Sequence, residues 1–164
     1  MSRLKRYDLP NQCYLVTTVT RDRRPYFADA RLATMLVDNL RFYRERMGFL
    51  LHGYVIMPDH VHLLVTPVAC TVSEIMRNFK SFTSKQIRET LRQSGPIWQR
   101  RFYDRVIRDE QQFLAALDYI HLNPVRSGLV SSPENYEFSS CRAFAECGTP
   151  LLHIDSLEGS RLGP

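Results

Sequence analysis

Two histidines, His60 and His62, flank Val61 in the apolar run HVHLLV, and their spacing comes nearest to a reactive constellation in this 164-residue chain. Side chains of a strand alternate between its faces, so both imidazoles would project on the same side, about 7 Å apart along the chain. Two neutral imidazoles at that distance can grip one divalent ion if a third ligand joins them; without one, His-x-His on a strand is more often an ordinary hydrogen-bonded pair. A candidate third donor lies downstream. Taking about 100° per residue, Phe113, Ala116, Leu117 and Ile120 form one apolar stripe of a helix. Tyr119 and Asn123, four residues apart, share a flank of that helix about 80 to 120° from the centre of the stripe. Separately, Tyr119 reads as a packed amphipathic tyrosine and Asn123 as a helix C-cap. Together they aim a phenol and an amide oxygen at whatever lies beside the helix.

Those residues need elements to hold them. The segment 12–20 (QCYLVTTVT) is rich in β-branched and aromatic residues and predicts a strand. A polar loop, RDRRPYF, follows, and 29–47 places Leu32, Met35, Leu36, Leu40 and Tyr43 at helical spacing until Gly48 closes the run. Residues 49–57 and 60–66 predict two strands joined by a short turn at Pro58 and Asp59. Thr71 or Ser73 then caps a second helix towards Leu91, with Ile75, Met76, Phe79, Phe82 and Ile87 as its inner face. Ser94, Gly95 and Pro96 break it, and 102–108 (FYDRVIR) predicts a fourth strand. A third helix starts at Asp109 or Glu110 and is expected to end near Asn123, because Pro124 disfavours helical geometry in the residue before it. The order β-α-β-β-α-β-α predicts an α+β, ferredoxin-like βαββαβ sandwich: an antiparallel sheet with two helices on one face. The third helix is an addition to that core, and the other face is left to carry a site.

The bulk composition sets the frame. The length suits one domain, taken as 1–146, followed by a tail, 147–164, of uncertain structure. No apolar run approaches the roughly 18 residues needed to span a bilayer, and MSRLKRYDLP has no apolar core of a secretory signal. A cytoplasmic protein with no membrane partner is expected. Cys13, Cys70, Cys141 and Cys147 form no CxxC pair, which argues against a zinc ribbon. Cys141 and Cys147 are near enough in sequence to bridge, but reduced thiols are expected in the cytoplasm. The net charge of +5 and pI near 9.2 hint at a polyanionic partner. Basic residues gather at Arg21, Arg23 and Arg24, at Lys80, Lys85, Arg88 and Arg92, and at Arg100, Arg101, Arg105 and Arg108. Solvated faces explain such runs equally well. The last series, however, leads into the helix bearing Tyr119, which favours contacts to a nucleic-acid backbone. Lys80 and Lys85 are weaker candidates. Trp98, the only tryptophan, could stack a base, though core packing is the commoner use of such a residue.

The strings MPDHVHLLV at 57–65 and YIHLNPVRSGLV at 119–130 resemble the two signature motifs of the REP-associated tyrosine transposases, a branch of the single-tyrosine, His-hydrophobic-His nucleases. WQRRFYDRVIRDEQQF at 98–113, FKSFTSK at 79–85 and YLVTTVTRDRRPYF at 14–27 are also similar to that family, in the same order. The likeness spans roughly residues 3–142. It implies metal binding by His60, His62 and Asn123, attack by Tyr119, and a 5′-phosphotyrosine on single-stranded, hairpin-bearing DNA. Ser127 stands where many relatives have alanine, and Arg105 where histidine is frequent. Two imidazoles and an amide oxygen leave positions open for water and phosphate, which suits Mg²⁺ or Mn²⁺ better than a closed structural zinc site. No residue declares itself the general base; Asp59 in the turn and His121 on the helix are available. Two rivals remain: a nucleic-acid-binding module of the same architecture without catalysis, and a metal phosphoesterase that uses water. Monomer and homodimer are both open.

Overall fold

Among the described residues β1 (Cys13–Val19) is the first regular element, and its alternation separates two cores. A computed structural model of the chain describes residues 8–145 and 148–157. α1 (Ala30–Met47) starts where the Asp29 carboxylate accepts the Arg31 N–H and stops at Gly48, whose φ of 69° is left-handed. β2 (Phe49–Met57) and β3 (His60–Pro67) follow as a hairpin. α2 (Val72–Leu91) is opened by a Thr71–Glu74 capping box. β4 (Tyr103–Ile107) leads to α3 (Glu110–Arg126), capped by Asp109, and a short α4 (Cys141–Phe144) comes after. The strands lie in the order β2-β3-β1-β4, all antiparallel, as the ferredoxin-like expectation requires.

Tyr14, Val16, Ile56, Val61 and Leu63 face α1 and α2, where they meet Leu36, Leu40, Ile75 and Phe79. The alternate residues Cys13, Val55, Met57 and Leu64 face α3 and meet Phe113, Ala116, Leu117 and Ile120. Burying such side chains stabilises each layer by roughly 1.5–3 kcal/mol apiece, so both faces of the sheet are held. α3 approaches most closely at Gly53. A Cβ there would lie 2.7 Å from Leu117 Cδ2 and 3.0 Å from Ile120 Cδ1, so any larger residue would make those side chains shift where the helix settles on β2.

Two expectations are corrected, the end of α3 and the inner face of α2, and for Trp98 core packing prevails over base stacking. α3 does not end at Asn123: Pro124 lies inside it, buried, and the helix runs to Arg126. It closes instead at Gly128 (φ 72°), with the Leu129 N–H donating to the Pro124 carbonyl and the Gly128 N–H to that of Val125. This is a Schellman closure. Proline in a last turn loses one hydrogen bond, which burial of its ring offsets. Phe82, placed on the inner face of α2, is 42% exposed. Trp98 is core: its ring lies 5.2 Å from that of Phe27 and its indole N–H donates to Thr83, so no face is offered to a base. The described part of the tail packs on the domain, with Leu152 buried and Asp155 hydrogen-bonded to both backbone groups of Leu51. That contact and the strand-like pairing of residues 138–140 cover the free edge of β2. A Cys141–Cys147 bridge lies outside the described residues. Burial pushes the Cys13 thiol up to about 12, which makes it unreactive.

Candidate active site

The register places a row of side chains on the sheet face under α3: Tyr103 on β4, Thr17 on β1 and His62 on β3 are successive partners across the strands. His60, two residues before His62, shares that face, and the two rings are 4.8 Å apart between centroids, edge to face. α3 crosses above with Tyr119 and Asn123 directed downward. The Tyr119 ring is 5.2 Å from that of His62, and Asn123 Nδ2 lies 3.1 Å from His62 Nε2. Tyr119 remains 43% exposed, so its hydroxyl group is within reach of an incoming strand.

Hydrogen bonding sets the tautomers. With the Asn123 amide nitrogen turned towards it, His62 Nε2 is the acceptor, and Nδ1–H then donates to Thr17 Oγ1 at 2.7 Å. His60 Nδ1–H donates to the Asp59 carboxylate at 2.6 Å, and Arg23 holds the other oxygen of that carboxylate at 3.0 Å. His60 therefore keeps Nε2 for a ligand, whereas His62 Nε2 is met by the Asn123 amide. Burial, with the neighbouring His60 second, pushes His62 down to about 3, so it stays neutral through the physiological range. Burial alone would raise the Asp59 carboxyl, but its bonds from His60 and Arg23 outweigh that and hold it below the usual carboxylate range.

Such a donor set fits a divalent cation. Among the described residues no group of three or more His, Cys, Asp or Glu could hold a metal; the Asn123 amide, beside His62, has an oxygen that could complete a set with the two imidazoles. Its oxygen and nitrogen exchange places by a flip of the side chain.

The other expected residues are dispersed. Arg105 lines a groove beside Tyr119. Arg100, Arg101 and Arg108 are exposed on the segments entering and leaving β4. Lys80 does not face the site: its ammonium donates to the carbonyls of Gln99, Arg100 and Arg101 and fixes the approach to β4. Lys85 is exposed on α2, which packs on the opposite sheet face. His121 is buried rather than exposed, bonded to Ser140 Oγ at 2.7 Å, and is removed from the general-base candidates. Two contributors escaped the sequence reading. Thr17 had no signal beyond its place in a strand. Arg126, whose guanidinium sits 5.9 Å from the Tyr119 ring centroid, could have been found. It follows Tyr119 by seven residues, which returns to about the same helix face.

This ferredoxin-like sheet, with two histidines beneath a helix tyrosine, falls in the transposase class by its likeness to known proteins. The profile of the IS200-like transposases matches residues 9–123. A Haemophilus influenzae relative provisionally designated a REP-associated tyrosine transposase is 30% identical, with 85% of each chain covered. An Escherichia coli REP-associated tyrosine transposase is 26% identical, over 85% of this chain and 82% of the relative. A solved REP-associated tyrosine transposase bound to a REP hairpin superposes with a TM-score of 0.74 at 25% identity, covering 98% of both chains. The chain belongs to the IS200-like transposase family, among the REP-associated tyrosine transposases. Among the described residues no helix is long and apolar enough to cross a membrane.

Proposed function

We propose that this transposase cleaves and rejoins single-stranded DNA beside a REP-type hairpin through a 5′-phosphotyrosine on Tyr119, assisted by Mg²⁺ or Mn²⁺ at His60, His62 and Asn123. The juxtaposition of Tyr119, His62 and Asn123 carries the reading: one ring pair at 5.2 Å and one hydrogen bond at 3.1 Å join a nucleophile to ligand-type side chains. A bound divalent ion would draw charge from the phosphate and align it for in-line displacement. Tyr119 Oη attacks phosphorus as its proton passes to solvent water, the bond from phosphorus to the 3′-oxygen breaks, and that oxygen leaves as a 3′-hydroxyl on taking a proton from water. Arg126, beside the phenol, favours the anionic oxygens and the developing phenolate. The tyrosyl phosphodiester keeps the energy of the broken bond, so another 3′-hydroxyl can reverse the step and join new ends; attack by water would forfeit that.

The test uses a hairpin oligonucleotide with single-stranded flanks and separates the three readings. Wild-type protein with Mg²⁺ is expected to form a covalent adduct that survives denaturing electrophoresis. Tyr119→Phe should lose adduct and cleavage while binding stays near wild type, because only the hydroxyl goes. Cleavage without an adduct would mean attack by water, and binding without cleavage would leave only a binding module. Retention of the adduct by the variant would move the nucleophile elsewhere, with Tyr103 next.

A further inference from the structure

Beside the histidine–tyrosine cluster, on its β4 side, a groove of about 460 Å³ opens between the sheet edge and α3. Leu15 and Thr17 line it on β1, Tyr103, Asp104 and Arg105 on β4, and Ala115 and Tyr119 on α3. We infer that this groove is a nucleobase slot, which stacks one unpaired base flanking the scissile phosphate on the Tyr103 ring while Arg105 holds that nucleotide's phosphate. The inference rests on the reading of Tyr119 as nucleophile and specifies which part of the DNA beyond the reacting phosphate the protein grips.

Several observations converge on it. The volume lies in the range of small-ligand clefts, roughly 300–1,000 Å³. Tyr103 is 65% exposed, above every other large apolar side chain recorded as exposed among the described residues, so its ring is left largely for something other than the core. It stands on an edge strand, opposite Thr17 in the register, and Thr17 holds His62. Tyr103 is thus two strand spacings, about 10 Å, from His62. A phosphate at the histidines and a base in the groove would then belong to adjoining nucleotides. The walls suit the flat apolar face of a base, and the cation at the rim suits its phosphate. Stacking also tolerates any base, which leaves sequence selection to other contacts.

The experiment uses the full chain carrying Tyr119→Phe, so that binding is read without cleavage. The probe is a REP-type hairpin oligonucleotide with single-stranded flanks, carrying 2-aminopurine at one flank position at a time. Quenching on binding is expected at one position beside the cleaved bond. Adding Tyr103→Ala should abolish that quenching and weaken binding about tenfold. Tyr103→Phe should keep both. An abasic residue at the quenched position should weaken the Tyr103-containing protein by a similar factor and leave the Tyr103→Ala protein unaffected. Quenching and affinity that survive Tyr103→Ala would overturn the slot, as would abasic and alanine losses that multiply in full. Covalent capture by the protein with Tyr119 intact is scored separately. Capture with no Tyr103 effect sinks the slot alone, and failed capture sinks the nucleophile reading.

Discussion

Thr17 and Asp59 touch no reacting atom in the proposed reaction, yet each fixes one imidazole. The Thr17 hydroxyl occupies His62 Nδ1 at 2.7 Å, and the Asp59 carboxylate occupies His60 Nδ1 at 2.6 Å. Losing such an orienting partner commonly lowers metal affinity about 10- to 100-fold. Thr17→Val, nearly equal in volume, is expected to weaken Mn²⁺ binding by that factor in calorimetry without DNA, with little change in melting temperature. An unchanged affinity would mean that packing alone orients His62. His60→Ala and His62→Ala should each abolish metal-dependent cleavage. Asn123→Ala should be milder, since water can replace a neutral amide oxygen; a chelated wild-type protein that still cleaves would remove the metal from the scheme. At this scale the sequence was informative where two constraints met. His60 and His62 share a face because strands alternate, and Tyr119 and Asn123 share one because helices repeat. The meeting of strand and helix rested on the family resemblance, and Thr17 was silent because a threonine in a strand is unremarkable.

α3 is the element that turns these residues into a cluster, and its seat is Gly53. The helix lies so close to β2 that a Cβ would intrude on Leu117 and Ile120, the turns carrying Tyr119. Gly53→Val should therefore displace the helix, costing about 1–3 kcal/mol of stability by overpacking. Covalent capture should fall by more than the loss of folded protein explains, measured at a temperature where the variant remains native by circular dichroism. Capture that falls only in step with unfolding would mean that α3 tolerates the shift. Strand and helix order was readable because apolar period and caps agree: Asp29, Thr71 and Asp109 all cap as residues of their kind do. The end of α3 was misread because Pro124 speaks locally for a break, whereas burial of its ring and the left-handed Gly128 decide for one more turn. That extra turn matters, since it keeps Asn123 within the helix and carries Arg126 back over Tyr119. The cover on the β2 edge by residues 138–140 and Asp155 was not foreseen either. Contacts between distant segments leave no periodic trace.

Across the whole molecule, two electrostatic properties follow from the placement of charge. Burial pushes His121 down to about 4, from the usual 6.5 or so, while it bonds Ser140 and so ties α3 to the segment covering β2. Between those values the unfolded chain binds a proton that the folded chain refuses, so stability should be full above about pH 6.5 and fall as pH drops towards 4. His62 acts in the same direction. His121→Gln should flatten the decline in melting temperature between pH 7 and 4.5 without removing it, and an unaltered decline would place the cost on His62 and other groups. The second property concerns the net charge of +5 and its distribution. If Arg100, Arg101, Arg105 and Arg108 contact phosphates, log K for single-stranded DNA should fall with log[salt] by about 0.7 for each phosphate neutralised. Replacing one contacting arginine by alanine should make the slope shallower by about that amount and weaken all sequences alike, because backbone contacts position without specifying. The four differ in setting: Arg105 lines the groove beside Tyr119, whereas the other three stand exposed around β4. Arg105→Ala should thus change the slope most surely, and Arg108→Ala, beyond the far end of β4, least. Titrations at several salt concentrations, on Tyr119→Phe protein to prevent cleavage, decide it. Equal slopes for all four variants and the parent would make the series surface charge and route the strand past Arg21, Arg23 and Arg24. There, Arg23 already meets Asp59, and through it His60.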